Sequence, residues 1–388
     1  MIHGIEISAG RARTYRNRWV RTPSVEEARP DLPTIGSTPR GAVNPSSGAV
    51  HVIDHAGRIL ALGEVGLPYE LTAELDTVGP FTFDGELLTS MTAHPKRDPE
   101  TGDLHFFGYD FGPVHLRYHR ADVAGRLVQT EVIDLPRTTM MHDFNLTATR
   151  VVFMDLPVVF STERLAMGSM PFAWEPSAGA RLGVMPIGGG NAEVRWFEIE
   201  PCYVFHPLNA YDVGDRIVLD VIRYESMFAS STIGPEGNPS ALWRWVIDPE
   251  AGTVTETQLD DRPSEFPRVP NTLMGRPHRF GYGAALDGSA VDEALDTEGL
   301  VKYDLQTGSS TFHSAGPGRF PGEGVFVPDP DGAGEDDGWV LSVVYDASTE
   351  CSDVIVVDAR DFDAPPVATV HLPVRVPFGF HGSWLPAS

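Results

Sequence analysis

Four of the thirteen histidines in this chain stand where a metal ion could be held. They are His94 in TAHPK, His142 in MMHDFN, His206 in YVFHPLNA and His381 in FGFHGSW. An apolar or small residue precedes each one (Ala93, Met141, Phe205, Phe380). A residue that interrupts a strand follows each one (Pro95, Asp143, Pro207, Gly382). Neutral imidazoles suit zinc, copper, iron or nickel. Catalytic zinc usually keeps three protein ligands and a water. Four imidazoles with no carboxylate among them would leave a six-coordinate metal two open positions, which suits an iron that must take up O2 beside a second reactant. Ligating rings also need acceptors for their other N–H. Glu64 in LALGEVG, Glu265 in SEFPR and Glu323 in PGEGVF lie among apolar or small residues, where a carboxylate needs such a partner.

The four histidines are too far apart in sequence for a local motif such as HExxH, so separate elements must bring them together. On the residues alone, the plainer account of buried histidines bonded to backbone outweighs a metal site. His51, His55, His105, His115, His119, His313 and His371 read as ordinary histidines of strands and turns, and His278 is ambiguous.

The elements that would carry these side chains are short strands joined by Asp/Gly turns. HVIDHAGRILALGE turns at Asp54 to Gly57, and HPKRDPETGDLHFFGY at Asp98 to Gly102. LRYHRADVAGRLVQTEVIDLP turns at Asp122 to Gly125, RWVIDPEAGTVTETQL at Asp248 to Gly252, and LVKYDLQTGSSTFHSAG at Asp304 to Gly308. Aspartate opens such turns by accepting from their amides, and glycine closes them by adopting positive φ. The flanks alternate apolar and polar residues, the mark of half-buried strands. No long helix is predicted. Hairpins this regular over 388 residues favour a single all-β domain, a β-propeller spanning 1–388. The pattern is interrupted at Thr162 to Gly190, at Ser226 to Ser240 and at the acidic, glycine-rich Asp329 to Gly338.

The formal net charge of -25 argues against a nucleic-acid partner, because phosphate neutralisation needs clustered Lys and Arg. Two distant cysteines, Cys202 and Cys351, make no disulfide framework, and a reducing compartment, the cytoplasm, is the default. Neither a signal core near the start nor a spanning run of apolar residues is visible.

Taken together, MIHG, YRNRWVRT, ALGEVGLPYEL, TAHPKRDPETGDLHFFGY, MMHDFNLT, FMDLPVVF, CYVFHPLNAY, DDRPSEFPR, PGEGVFVP and VPFGFHGSW resemble the carotenoid cleavage oxygenases. That family also holds retinoid isomerases and stilbene-cleaving dioxygenases. The motifs follow the family order over essentially the whole chain. The resemblance implies a seven-bladed propeller with Fe(2+) on its axis, ligated by His94, His142, His206 and His381. Glu64, Glu265 and Glu323 are then the carboxylates that hold the ligand rings. The implied reaction adds O2 across a conjugated C=C bond of a carotenoid or apocarotenoid and yields two carbonyl products. Phe144, Phe205 and Trp384 flank the ligand motifs and are candidate contacts for the apolar polyene.

Two departures bear on this. Family members usually carry a further segment of strands before the MIHG motif, so an incomplete N-terminal blade is expected here, and an inactive polyene-binding fragment is an alternative. His3 belongs to the MIHG motif and is not a ligand in the family. In the stilbene-cleaving branch a lysine precedes the first of the three glutamates, whereas Gly63 stands here. This favours a polyene over the alternative of a stilbene or phenylpropanoid. The apolar cluster from Leu165 to Trp174 either lines the route to the metal, touches a membrane surface peripherally, or packs over the sheets.

Overall fold

A computed structural model describes residues 1–31, 47–111, 115–229, 240–286 and 297–386. Residues 230–239, most of the loop expected between Ser226 and Ser240, lie outside the described residues. The chain groups into two units, Met1–Asp134 with Val376–Ser388, and Leu135–Arg375.

The first unit contains two four-stranded antiparallel sheets. One runs in the order His51–His55, Arg58–Leu62, Tyr69–Leu71, Thr77–Pro80. The other runs Lys96–Arg97, Leu104–Tyr109, Leu116–Ala121, Leu127–Ile133. Burial explains the sequence of each strand. Leu104–Tyr109 (LHFFGY) is buried at every position and reads as a continuous apolar run. Leu127–Ile133 alternates half-buried and exposed residues, as a strand with one wet face must. Between the two sheets lies a core that includes Leu60, Leu62, Phe83, Met91, Leu104 and Phe106. Each such side chain contributes about 1.5–3 kcal/mol when fully buried.

The second unit contains four sheets in chain order. The first is Asn145–Leu146, Arg150–Asp155, Ala180–Pro186 and Arg195–Ile199. The second is Pro207–Val213, Arg216–Arg223, Ala241–Asp248 and Thr253–Asp260, and the third Ser264–Arg268, Phe280–Leu286, Thr297–Asp304 and Ser309–Ser314. The fourth is five-stranded: Arg319–Pro321 and Val325–Pro328 both pair with Gly338–Asp346, followed by Cys351–Asp358 and Ala368–His371. The interruption after Thr162 folds into a short helix, Thr162–Ala166, and a two-stranded ribbon of Val158–Phe160 with Phe172–Trp174.

The expected seven blades are corrected to six. Among the described residues, six sheets have the four- or five-stranded antiparallel form of a blade. The strands Ile2–Ser8 and Arg11–Arg18 pair with each other as a two-stranded hairpin and build no seventh. RARTYRNR explains why: no residue of that strand is buried, so it offers no apolar face on which further strands could stack.

The turn chemistry follows expectation at Asp122, whose Oδ1 accepts from the amides of Ala124 (3.1 Å) and Arg126 (2.9 Å) while Gly125 takes φ 80°. It differs at the first hairpin. Ala56 and Gly57 both have positive φ there, the pair that a two-residue hairpin turn requires. Asp54 stays within its strand and meets Arg97 at 3.3 Å.

Candidate metal centre

His94, His142 and His206 each sit just before a strand begins, whereas His381 lies on a segment without regular secondary structure. His142 precedes the strand Asn145–Leu146, with Met140 N bonded to Val158 O at 2.8 Å. The Asp143 carboxylate accepts from Phe144 N at 2.7 Å and stiffens the loop. His206 lies between an isolated bridge, Tyr203 with Tyr224, and the strand that Pro207 begins; its carbonyl accepts from Ile222 N at 3.2 Å.

In the second unit these two rings face each other, with Nε2 of His142 3.2 Å from Nε2 of His206. The carboxylate of Glu265 lies 2.5 Å from Nδ1 of His206. An ionised carboxylate can only accept, so Nδ1 carries the proton and Nε2 of the neutral ring offers its lone pair. Glu265 is 1% exposed and fully occupied. Oε2 also accepts from Phe266 N at 2.5 Å, and Oε1 accepts from the Tyr224 hydroxyl at 3.1 Å. Burial, reinforced by the neighbouring Glu265 charge, pushes the Tyr224 phenol far up, so that it stays a donor. Phe266 adopts φ 53°, a costly conformation for a bulky residue. Its ring centroid lies 5.5 Å from that of His206. Phe205 closes another side, edge-on to His142 at 5.1 Å and to Tyr203 at 4.9 Å.

In the first unit, His94 and His381 approach edge to face, with ring centroids 4.6 Å apart, and one nitrogen of each lies within 4.8 Å of the other. A carboxylate oxygen of Glu64 lies within the same distance of a His94 nitrogen, and Oε1 of Glu64 accepts from the Tyr109 hydroxyl at 3.1 Å. The segment before His94 is strapped down tightly. Met91 N bonds Gly66 O (2.9 Å), Thr92 N bonds Phe107 O (2.7 Å) and Ser90 Oγ bonds Tyr109 O (2.6 Å). His94 N then bonds Thr92 Oγ1 at 3.1 Å. Gly108 makes this approach feasible, because a Cβ there would overlap the Ser90 backbone.

The remaining candidates are placed as follows. Glu323 is 7% exposed and pairs with Arg268 at 3.3 Å. Phe144 is fully buried, and Phe205 and Trp384 are half-buried. Thr92 and Arg268 lie inside the motifs TAHPK and DDRPSEFPR without standing out there, and Tyr224 lies in none of the motifs; their partners come from the fold. His51, read as an ordinary strand histidine, is bonded to both segments that carry His94 and His381.

These donors fit a transition ion. Two cis ligands at right angles on a metal–nitrogen bond of about 2.1 Å would stand about 3 Å apart, close to the spacing of the His142–His206 nitrogens. A carboxylate behind a ligating imidazole is the usual support for such a ligand. Among the described residues no helix is long and apolar enough to cross a membrane.

The family model described as retinal pigment epithelial membrane protein matches residues 1–386. A carotenoid cleavage oxygenase of Mycobacterium tuberculosis is 42% identical over 437 residues, covering 100% of this chain and 87% of the relative. The crystal structure of a lignostilbene dioxygenase from Pseudomonas brassicacearum matches with a TM-score of 0.89 at 29% identity, covering 99% of this chain and 86% of the other. A Synechocystis apocarotenoid oxygenase variant matches with a TM-score of 0.88 at 28% identity, covering 99% and 86%.

Proposed function

The chain belongs to the family of the retinal pigment epithelial membrane protein and the carotenoid cleavage oxygenases, and from that premise we propose that it is a non-haem Fe(2+) dioxygenase. Its substrate is a carotenoid or apocarotenoid. One conjugated C=C bond and the O=O bond are broken, and each carbon leaves with one oxygen as a carbonyl. His94, His142, His206 and His381 ligate the iron, and Glu64, Glu265 and Glu323 support the ligand rings. When bound, a ferrous ion supplies the electronic route by which O2 reacts with a closed-shell alkene.

The observation that carries this reading is the His142–His206 pair with Glu265 behind it. The protein's own part is positional and electrostatic. Glu265 holds the His206 proton on Nδ1, so the ring's free lone pair stands on Nε2, facing His142. Tyr224 and Phe266 N hold that carboxylate in place. Phe205 and Trp384, both half-buried, contact the polyene, whereas Phe144 is fully buried. The Phe205 ring stands edge-on to His142 and covers one side of it. No side chain is required as acid or base, since the products need no proton transfer.

A peripheral contact with a membrane, through which an apolar polyene would be drawn, is assigned to the segment from Leu165 to Trp174. Leu165 is 55% and Met167 67% exposed there. The reaction is placed in the cytoplasm. The likeness to the lignostilbene dioxygenase supports a second reading, cleavage of a stilbene or phenylpropanoid. Gly63, which offers no side chain to bind a phenol, weighs against it. Assays of iron-loaded protein on an apocarotenal and a hydroxystilbene side by side decide between them. Turnover of the apocarotenal alone supports the first reading, and turnover of the hydroxystilbene alone overturns it.

A further inference from the structure

His381 reaches its place on a segment with no regular secondary structure: none of residues 376–386 belongs to a strand or helix. Phe378 and Phe380 on this segment are 62% and 55% exposed. Two of its anchors lie together at the start of the first sheet. His381 N donates to Val50 O at 3.2 Å. Ser383 Oγ meets Nε2 of His51 at 3.1 Å. The other nitrogen of His51, Nδ1, lies 2.8 Å from Ala93 O, the carbonyl immediately before His94. A carbonyl can only accept, so Nδ1 carries the proton. In the neutral ring Nε2 must then accept the Ser383 hydroxyl proton. Both ring nitrogens are thus committed, one to each segment. The His51 ring is 8% exposed, and its centroid lies 5.4 Å from that of His381.

We propose that His51 is a positioning residue, a staple that joins the segment carrying His94 to the segment carrying His381 and sets the distance between those two imidazoles. The inference deepens the iron-site reading and rests on it for the identity of the ligands. Imidazole suits the task because it bonds in two opposite directions from one rigid ring. Its place on the strand His51–His55, paired to Arg58–Leu62 from its first residue, fixes the ring against a sheet. A flexible side chain could make either bond but would not transmit a fixed spacing.

The test compares the parent chain with His51→Ala, Ser383→Ala, the double variant, and Ser383→Thr, which keeps the hydroxyl. Hydrogen exchange on metal-free protein reads the anchoring without reference to activity. Exchange at His381 and its neighbours should rise at least tenfold in His51→Ala and Ser383→Ala, with the amides of 58–62 unchanged. Ferrous-ion affinity, measured anaerobically against a competing chelator, should fall at least tenfold in the same variants. The double variant should be little worse than His51→Ala, which already removes the bond to Ser383 together with that to Ala93 O; Ser383→Ala, which leaves the latter, should be the milder single change, and Ser383→Thr should behave as the parent. Unchanged exchange in His51→Ala would overturn the staple. Faster exchange with unchanged metal affinity would overturn its role in positioning ligands. A parent chain that binds no ferrous ion would refute the iron-site reading itself, and the ligand-positioning role would fall with it.

Discussion

Replacing Glu265 by Gln isolates the charge behind His206 with little change of shape. The carboxylate has three donors to satisfy: His206 Nδ1, Phe266 N and the Tyr224 hydroxyl. An amide oxygen placed at Oε2 still accepts from the first two. The amide NH2 then faces Tyr224, whose oxygen can accept in turn. Only the Tyr224 hydroxyl proton loses its acceptor, while the other two donors keep theirs, so the fold should tolerate the change at a modest cost. What is lost is the negative charge that draws the Nδ1 proton and makes Nε2 a stronger donor to a cation. Removing such a support typically costs 10- to 100-fold in metal affinity, or about 1.4–2.8 kcal/mol. That agrees with the roughly 1.5–3 kcal/mol of a hydrogen bond to a charged group. The assay is anaerobic competition of Glu265→Gln and parent for ferrous ion against a chelator, with the thermal midpoint of both metal-free proteins recorded alongside. An affinity within twofold of the parent would refute the reasoning. So would a loss of affinity accompanied by an equal loss of metal-free stability, since the carboxylate would then be structural.

Three further outcomes are expected. His142→Ala should bind ferrous ion at least 100-fold more weakly and show no cleavage above background, checked by metal analysis and by the bleaching of a polyene. Gly108→Ala should force the Ser90 backbone away from its strand. The cost should lie at or above the top of the roughly 1–3 kcal/mol range for overpacked interiors, read by chemical denaturation, with weaker metal binding because His94 follows that segment. The third outcome concerns pH. Burial lowers the His105 imidazole from its ordinary 6.5 to about 4, and its Nδ1 is bonded to the Tyr118 hydroxyl at 2.7 Å. Between these values the unfolded chain binds a proton that the folded chain refuses, so stability falls as pH falls from 6.5 to 4 and this contribution levels off below. The loss is on the order of 3 kcal/mol, and a His105→Asn variant should show a correspondingly flatter profile of denaturation midpoint against pH.

The hairpins were legible in sequence because turns opened by Asp and closed by Gly, with alternating flanks, are local signals, and Asp122 with Gly125 behaves as they predict. The first hairpin was misread at the level of one residue: Ala56 accepts positive φ because the two-residue turn demands it, which composition does not announce. The blade count was expected from resemblance and not from pattern, and the arginine-rich strand Arg11–Arg18 shows why a strand without a buried face makes no blade. The ligand motifs stood out because an apolar or small residue precedes each histidine and Pro, Asp or Gly follows it, but the residues alone favoured ordinary buried histidines, and only the resemblance made them ligands. The partners behind them did not stand out. Tyr224 reaches Glu265, and Tyr109 reaches Glu64, only through registers set between strands. His51 looked like any alternating strand residue, and its two hydrogen bonds are to segments 42 and 332 residues away.

The central claim is that this chain uses ferrous iron and O2 to split a polyene. Its most direct test is mass spectrometry of the products when anaerobically iron-loaded protein meets an apocarotenal under isotopically labelled O2. The account predicts two carbonyl fragments whose combined formula is the substrate plus one O2, with one labelled oxygen in each before exchange with water. An intact polyene recovered from protein that demonstrably holds its iron would contradict it.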